Sequence, residues 1–211
     1  MADIDIVVIF VAVGVLAGLS AWLGPRLLVA WSEARRRALK DQLTGLMNDR
    51  AFAKRVGDEL ESAREASGEM VLLMCDIDRL GAINQRFGRE FGDFVIRLFA
   101  EKAKAEIRED DLLFRLGDDQ FCSILPATSE QHARTIAERI RSAFSEKKLR
   151  ARRKENVRPT VSIGLASSAE LGFSVDRLKV AAEAALAEAK RSGRDRLEVY
   201  RAPAIEERSA A

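Results

Sequence analysis

Two adjacent aspartates in the run Arg115-Leu116-Gly117-Asp118-Asp119-Gln120-Phe121 stand where acids can do metal chemistry. Apolar residues lead into the run (Leu112, Leu113, Phe114) and follow it (Phe121, Cys122, Ile124, Leu125). Gly-Asp at the centre predicts a two-residue hairpin turn, with Gly117 first at positive φ. Carboxylates on such a tip can hold a divalent cation against phosphate oxygens. A further acid, Asp76, closes the apolar stretch Met70–Ile77 and is followed by Asp78. An acid at the C-terminal end of a strand faces the crevice in which α/β sheets take their ligands.

Around these acids the chain resembles one family. The hairpin run is similar to the signature of GGDEF domains, bacterial diguanylate cyclases that join two GTP into cyclic di-GMP. The stretch Asp41-Gln42-Leu43-Thr44-Gly45-Leu46-Met47-Asn48-Asp49-Arg50-Ala51-Phe52 resembles the D-x-L-T-G-L-x-N-x-x-x-F opening of the same family. The resemblance covers roughly residues 41 to 200 and implies a site. Asp76, the Ile77 carbonyl and, opposite them, Asp119 would ligate Mg²⁺ when a nucleotide is bound. Asp119 would also be what remains of the catalytic acid. Asn84 and Asp93 match the guanine-reading pair, an amide and a carboxylate suited to the base's edge. Gly117 would approach the nucleotide, and Lys190 and Arg194 match phosphate-contacting cations. A Lys and an Arg near a helix C-terminus could instead serve the helix dipole.

The signature itself departs from the family. Gly-Gly-(Asp/Glu)-Glu-Phe has become Gly117-Asp118-Asp119-Gln120-Phe121. Asp118 adds a negative charge where phosphates would lie. A unit charge about 5 Å from another costs roughly 3 kcal/mol at an effective dielectric near 20. Gln120 subtracts a carboxylate. Reading Asp118-Asp119 as the acid pair shifted by one conflicts with the alternation of strand faces. The lysine that usually follows the metal acid by five is Gly81, and a customary histidine is Arg89.

A second constellation lies just upstream, Arg108-Glu109-Asp110-Asp111. Arginine can bond guanine O6 and N7 together, and an aspartate can accept from the guanine N–H edge. The resemblance places this R-x-x-D where family members bind cyclic di-GMP as an inhibitor, with Arg139 as a supporting cation. The product-binding pair thus reads intact while the catalytic hairpin reads damaged. Three functions follow as expectations: an inactive receptor for cyclic di-GMP acting through Arg108 and Asp111, an active or feeble diguanylate cyclase, and a nucleotide-independent scaffold for a protein partner.

The elements that must position these residues read as strands alternating with helices. Helices are expected over Ala51–Ala66, Phe91–Ile107, Ser129–Phe144 (with Thr128 and Gln131 at capping-box spacing) and Val175–Arg191. Strands are expected over Met70–Ile77, within the hairpin Leu112–Leu125, over Val161–Ala166, and at an edge over Arg196–Tyr200. The fold class is α/β, a mixed sheet flanked by helices, which the resemblance makes the GGDEF, nucleotidyl-cyclase-like fold.

The chain has 211 residues, 47% of them hydrophobic, which suffices for one core. Its net charge of +2 gives no general attraction to nucleic acid. Cys75 and Cys122 sit in apolar runs and read as small core residues. Lys147–Arg158 holds seven basic residues against Glu155, a solvated loop or a contact for anionic lipid. Residues 6–23 carry no charge, long enough as a helix to cross a bilayer, with basic residues following at Arg26, Arg35, Arg36, Arg37 and Lys40. Residues 1–31 are therefore expected to form one transmembrane anchor in the bacterial inner membrane, with the rest in the cytoplasm. Residues 32–40 read as a charged helical stalk and residues 201–211 as a flexible tail. Gly14 and Gly18 give a small-xxx-small face that could pair two anchors into a homodimer.

Overall fold

The computed structural model describes residues 38–202, apart from 67, 147 and 152–154, together with Trp22 and Arg26. The expected anchor, its Gly14/Gly18 face, most of the stalk and residues 203–211 lie outside the described residues. No helix among the described residues is long and apolar enough to cross a membrane. The chain divides into two units, residues 1–40 and 41–211. In the first, the Arg26 guanidinium lies 3.9 Å from the centre of the Trp22 ring.

The second unit is built on a six-stranded mixed sheet. In chain order its elements are β1 (Met47–Asn48), α1 (Asp49–Glu65), β2 (Met70–Ile77), α2 (Leu80–Phe87), α3 (Arg89–Glu106), β3 (Leu112–Arg115), β4 (Gln120–Pro126), α4 (Glu130–Ser145), β5 (Leu149–Arg150), β6 (Asn156–Val157), β7 (Val161–Ser167), α5 (Ser168–Leu171), α6 (Val175–Arg191) and β8 (Leu197–Val199). The strand order is β1-β3-β4-β2-β7-β8. β2 runs antiparallel to both neighbours, while the edge strands β1 and β8 are parallel to theirs. All eight residues of β2 are buried, which explains its unbroken apolar run.

Side-chain alternation divides the core. Val71, Leu73, Cys75 and Ile77 join Phe99 and Phe144 from α3 and α4 in one cluster with Phe121, Ile163 and Leu165. On the opposite face, Phe114 meets Phe52 of α1 edge to face, with ring centres 5.4 Å apart. α6 crosses β7 at Gly164, where an added Cβ would fall 2.2 Å from the Ala182 carbonyl oxygen and 2.3 Å from the Leu186 nitrogen. The small residues Ala181, Ala182, Ala185 and Ala189 on the buried face of α6 suit this close approach.

The structure corrects several expectations. Gly117 does not sit in a two-residue turn and has no positive φ. Residues 116–119 form a longer connection, closed by the Leu116 N–H donating to the Gln120 carbonyl at 2.9 Å. The cause is register. Phe114 pairs with Cys122 and Arg115 with Phe121, so the two phenylalanines point to opposite faces. A turn on residues 117 and 118 alone would set Phe114 against Phe121 and bring both to one face. The α4 cap is Ser129, whose hydroxyl accepts from the His132 N–H, whereas Thr128 donates to the Pro126 carbonyl. Within the basic stretch 147–158, β5 and β6 pair as a small hairpin. α2, α5 and the two-residue β1 were not foreseen.

Both cysteines are free and buried. Burial pushes the Cys75 thiol up to about 12 and the Cys122 thiol well above its usual range. Neither forms the reactive thiolate at neutral pH. A disulfide reagent such as dithionitrobenzoate is expected to label neither thiol in the native protein and both in urea. Rapid native labelling of either would contradict this packing.

Candidate functional site

The crevice is set by the end of β2. Asp76 is 4% exposed and pairs across the ladder with Gln120 of β4 on one side and Ser162 of β7 on the other. Residues opposite each other in an antiparallel pair share a face, so the position directly across from Asp76 carries an amide. Asp119 is the residue just before it, and its charge acts on Asp76. The Asp119 main-chain carbonyl accepts the Ile77 N–H at 3.1 Å. The Lys190 Nζ lies 2.6 Å from the Asp76 carboxylate. Burial is the main cause that raises the Asp76 pKa; the Lys190 hydrogen bond opposes it, and the nearby Asp119 charge adds to it.

Asp78 serves the fold. It is 5% exposed and accepts from the Thr160 and Ser162 hydroxyls at 2.8 and 2.7 Å and from the Asp195 N–H at 3.1 Å. These bonds fasten the turn after α6 to the end of β2. That turn carries Arg194, whose N–H donates to the Ala189 carbonyl at 2.9 Å.

The donor set can be tested for Mg²⁺. No group of three or more His, Cys, Asp or Glu side chains among the described residues could hold a metal ion. Asp76 and Asp119 offer two carboxylates, with the Ile77 carbonyl beside them. Mg²⁺ commonly takes one or two carboxylates and draws its other ligands from phosphates and water. The residues therefore fit a Mg²⁺ that arrives with a nucleotide, not one caged by protein alone.

Asn84 lies on α2, and Gly92 and Asp93 on α3. An added Cβ on Gly92 would fall 1.7 Å from Asn84 Oδ1, so this glycine makes room for the amide. Asn84 Oδ1 is buried without a hydrogen-bond partner. An orphaned acceptor of this kind costs ~1–3 kcal/mol, and a ligand donor would relieve it. Asp93, next to Gly92 in sequence, is half-buried.

The hairpin is tied to the start of the domain, a link that sequence reasoning missed. Arg115 Nη1 donates to both Asp41 carboxylate oxygens, at 3.0 and 3.1 Å, and its Nη2 donates to the Asp118 carbonyl at 2.8 Å. Asp41 Oδ1 also accepts from the Thr44 N–H and hydroxyl, at 2.8 and 2.6 Å. Gly45, at φ 71°, closes this turn. Burial pulls the Asp41 pKa up, but the bonds from Thr44 and Arg115 outweigh it and hold the carboxyl below its usual range. The Arg115 partner of Asp41 lies 74 residues away in the chain and left no local signal.

The upstream pair sits in the connection after α3. Asp111 is 7% exposed, and its Oδ2 accepts the Arg108 N–H at 2.8 Å. Burial raises its pKa, with the Arg108 bond opposing. The Arg108 side chain is exposed and makes no ion pair among the described residues. Arg139 of α4 bonds Glu106, at the C-terminal end of α3, at 2.6 and 2.8 Å. Its guanidinium therefore contacts the residue two positions before Arg108.

An acid-ended central strand, a hairpin beside it and a helix returning a lysine to that acid make an α/β domain with one ligand crevice at the strand ends. A family model described as "Diguanylate cyclase, GGDEF domain" matches residues 38–196. The chain belongs to the GGDEF family. It is 36% identical over 167 residues to the diguanylate cyclase DgcP of Pseudomonas aeruginosa, a match covering 79% of this chain and 25% of that protein. The chain spans between a quarter and about a third of the length of the curated relatives it matches. Among solved structures, the coiled coil and GGDEF domain of DgcB from Caulobacter crescentus, in complex with c-di-GMP, is similar with a TM-score of 0.80 at 31% identity; the match covers 87% of this chain and 96% of that one. The diguanylate cyclase SiaD of Pseudomonas aeruginosa, in complex with its activator SiaC, is similar with a TM-score of 0.73 at 30% identity, covering 87% of this chain and 70% of that one.

Proposed function

We propose that this chain works in cyclic di-GMP signalling as a receptor whose own cyclase site is disabled. One observation carries the reading: Gln120, not an acid, stands across from Asp76, while Asp111 is already held by the Arg108 backbone with the Arg108 guanidinium exposed. The catalytic hairpin lacks a carboxylate and carries the extra charge of Asp118. The R-x-x-D pair is arranged to take a guanine, Arg108 on O6 and N7 and Asp111 on the N–H edge. Arg139 steadies the end of α3 beside them. Asn84, Asp93, Lys190 and Arg194 are retained for GTP, with Mg²⁺ arriving on its phosphates, so nucleotide can bind even where transfer fails. The uncharged segment 6–23 would anchor the chain in the inner membrane, pair it as a homodimer and present the domain to a protein partner in the cytoplasm.

The test uses the full chain in detergent. Labelled cyclic di-GMP is expected to bind with a Kd below about 100 μM, equivalent to roughly −5.5 kcal/mol. Incubation of a verified dimer with GTP and Mg²⁺ or Mn²⁺ is expected to yield no product. Turnover at a rate ordinary for a cyclase would overturn the disabled site. Absence of binding would overturn the receptor.

A further inference from the structure

The receptor reading leaves the basic stretch 147–158 unused, and the fold gives that stretch two distinct sides. β5 and β6 pair Leu149 with Val157 and Arg150 with Asn156. Leu149 is 8% exposed, and Val157 packs beside it on the cluster that holds Phe99 and Phe144. Side chains alternate along a strand. The hairpin therefore lays its apolar side on the domain and turns Arg150 and Asn156 outward, where both are exposed. Lys148, two residues before Arg150, is exposed as well. Glu155, the one acid of the stretch, accepts from Arg86 of α2 at 2.5 Å.

That bond joins the hairpin to a row of aromatic rings. The Arg86 guanidinium lies 5.3 Å from the centre of the Phe87 ring. Ring centres are 5.4 Å apart for Phe87 and Phe91 and 6.2 Å apart for Phe91 and Phe94. The row ends at Phe94, which is 44% exposed. Residues 86–94 and 147–158 together carry nine basic side chains against three acids, Glu90, Asp93 and Glu155. A chain of near-balanced charge thus concentrates cations beside a phenylalanine left open to solvent.

We propose that this strip docks on an anionic phospholipid bilayer, with Lys148 and Arg150 against the headgroup phosphates and Phe94 entering the headgroup boundary. Each basic residue held near such a surface strengthens the attraction about fivefold. An apolar ring beside the cations gains further by leaving water at that boundary. The anchor proposed for residues 6–23 would keep the bilayer within reach, so that even a weak contact is well populated. The strip itself does not depend on that anchor, nor on Arg108 and Asp111.

The test places an environment-sensitive fluorophore on Asn156→Cys in the full chain. The native thiols are buried, so the label goes to the new one. Lipid nanodiscs of phosphatidylcholine alone are compared with discs about one-third phosphatidylglycerol. Retention on the neutral discs reports the anchor. A blue shift that appears only on the anionic discs, and fades in about 0.5 M salt, reports the strip, and it is expected whether or not the anchor inserts. Lys148→Glu combined with Arg150→Glu should lower the ratio of docked to free label at least tenfold. Phe94→Ser should lower it about fivefold. Arg50→Glu, on α1 across the sheet, should leave it within about twofold. The altered side chains are exposed, so melting curves should match the parent chain. Protection of Lys148 and Arg150 from trypsin on anionic discs reads the same contact without a label. Equal emission on both kinds of disc, no loss with the double variant, an equal loss with Arg50→Glu, or a larger shift with single-stranded RNA than with anionic discs would overturn the proposal.

Discussion

Alanine at position 108 is expected to weaken cyclic di-GMP binding by between about tenfold and a hundredfold, ~1–3 kcal/mol for a bidentate arginine contact on guanine. The substitution isolates recognition from folding. Arg108 is exposed and makes no ion pair among the described residues, and the backbone N–H that holds Asp111 survives in any residue except proline. Denaturation midpoints should therefore coincide with those of the parent chain. Arg108→Lys keeps the charge and loses the planar fork, so it should restore only a small part of the affinity. Asp111→Ala is the poorer probe, because it removes a buried acceptor from the loop as well as a ligand contact. Affinity for Arg108→Ala equal to that of the parent chain would remove the receptor reading.

Alanine at position 164 should destabilise the domain by about 3 kcal/mol or more, at or above the upper end of ordinary overpacking. The new methyl would meet the main chain of α6 at Ala182 and Leu186, the nearest approach being 2.2 Å. No flexible side chain is available to move aside. α6 must lift from β7 or lose its middle turn, and either motion draws Lys190 away from Asp76. Urea unfolding gives the measurement; a loss under about 1 kcal/mol, the centre of the distribution for arbitrary substitutions, would mean that α6 yields more easily than its packing indicates. Gly92 is the contrasting case, since the atom in its way is the end of the Asn84 side chain. Alanine there displaces the amide and leaves the framework standing.

Much of this architecture was legible in the residues. β2 and α6 fall on their expected bounds because an uninterrupted apolar run and an alanine-rich amphipathic segment admit few other structures. The hairpin turn was misread because Gly-Asp is a strong local signal, whereas the register follows from two distant faces that claim Phe114 and Phe121. The site was legible as a set of residue types and illegible as a set of bonds. Asp76, Asn84, Asp93 and Lys190 could be picked out, but that Lys190 would hold Asp76 and that Gln120 would face it are properties of register.

Arg115 grips the hairpin through the Asp118 carbonyl oxygen, an atom that every amino acid supplies. Its other grip is on Asp41, outside the signature altogether. The loop's outline is thus indifferent to which side chains occupy positions 118 and 120. A lineage can shed its chemistry there by single substitutions and keep the scaffold upright, available for a different employment.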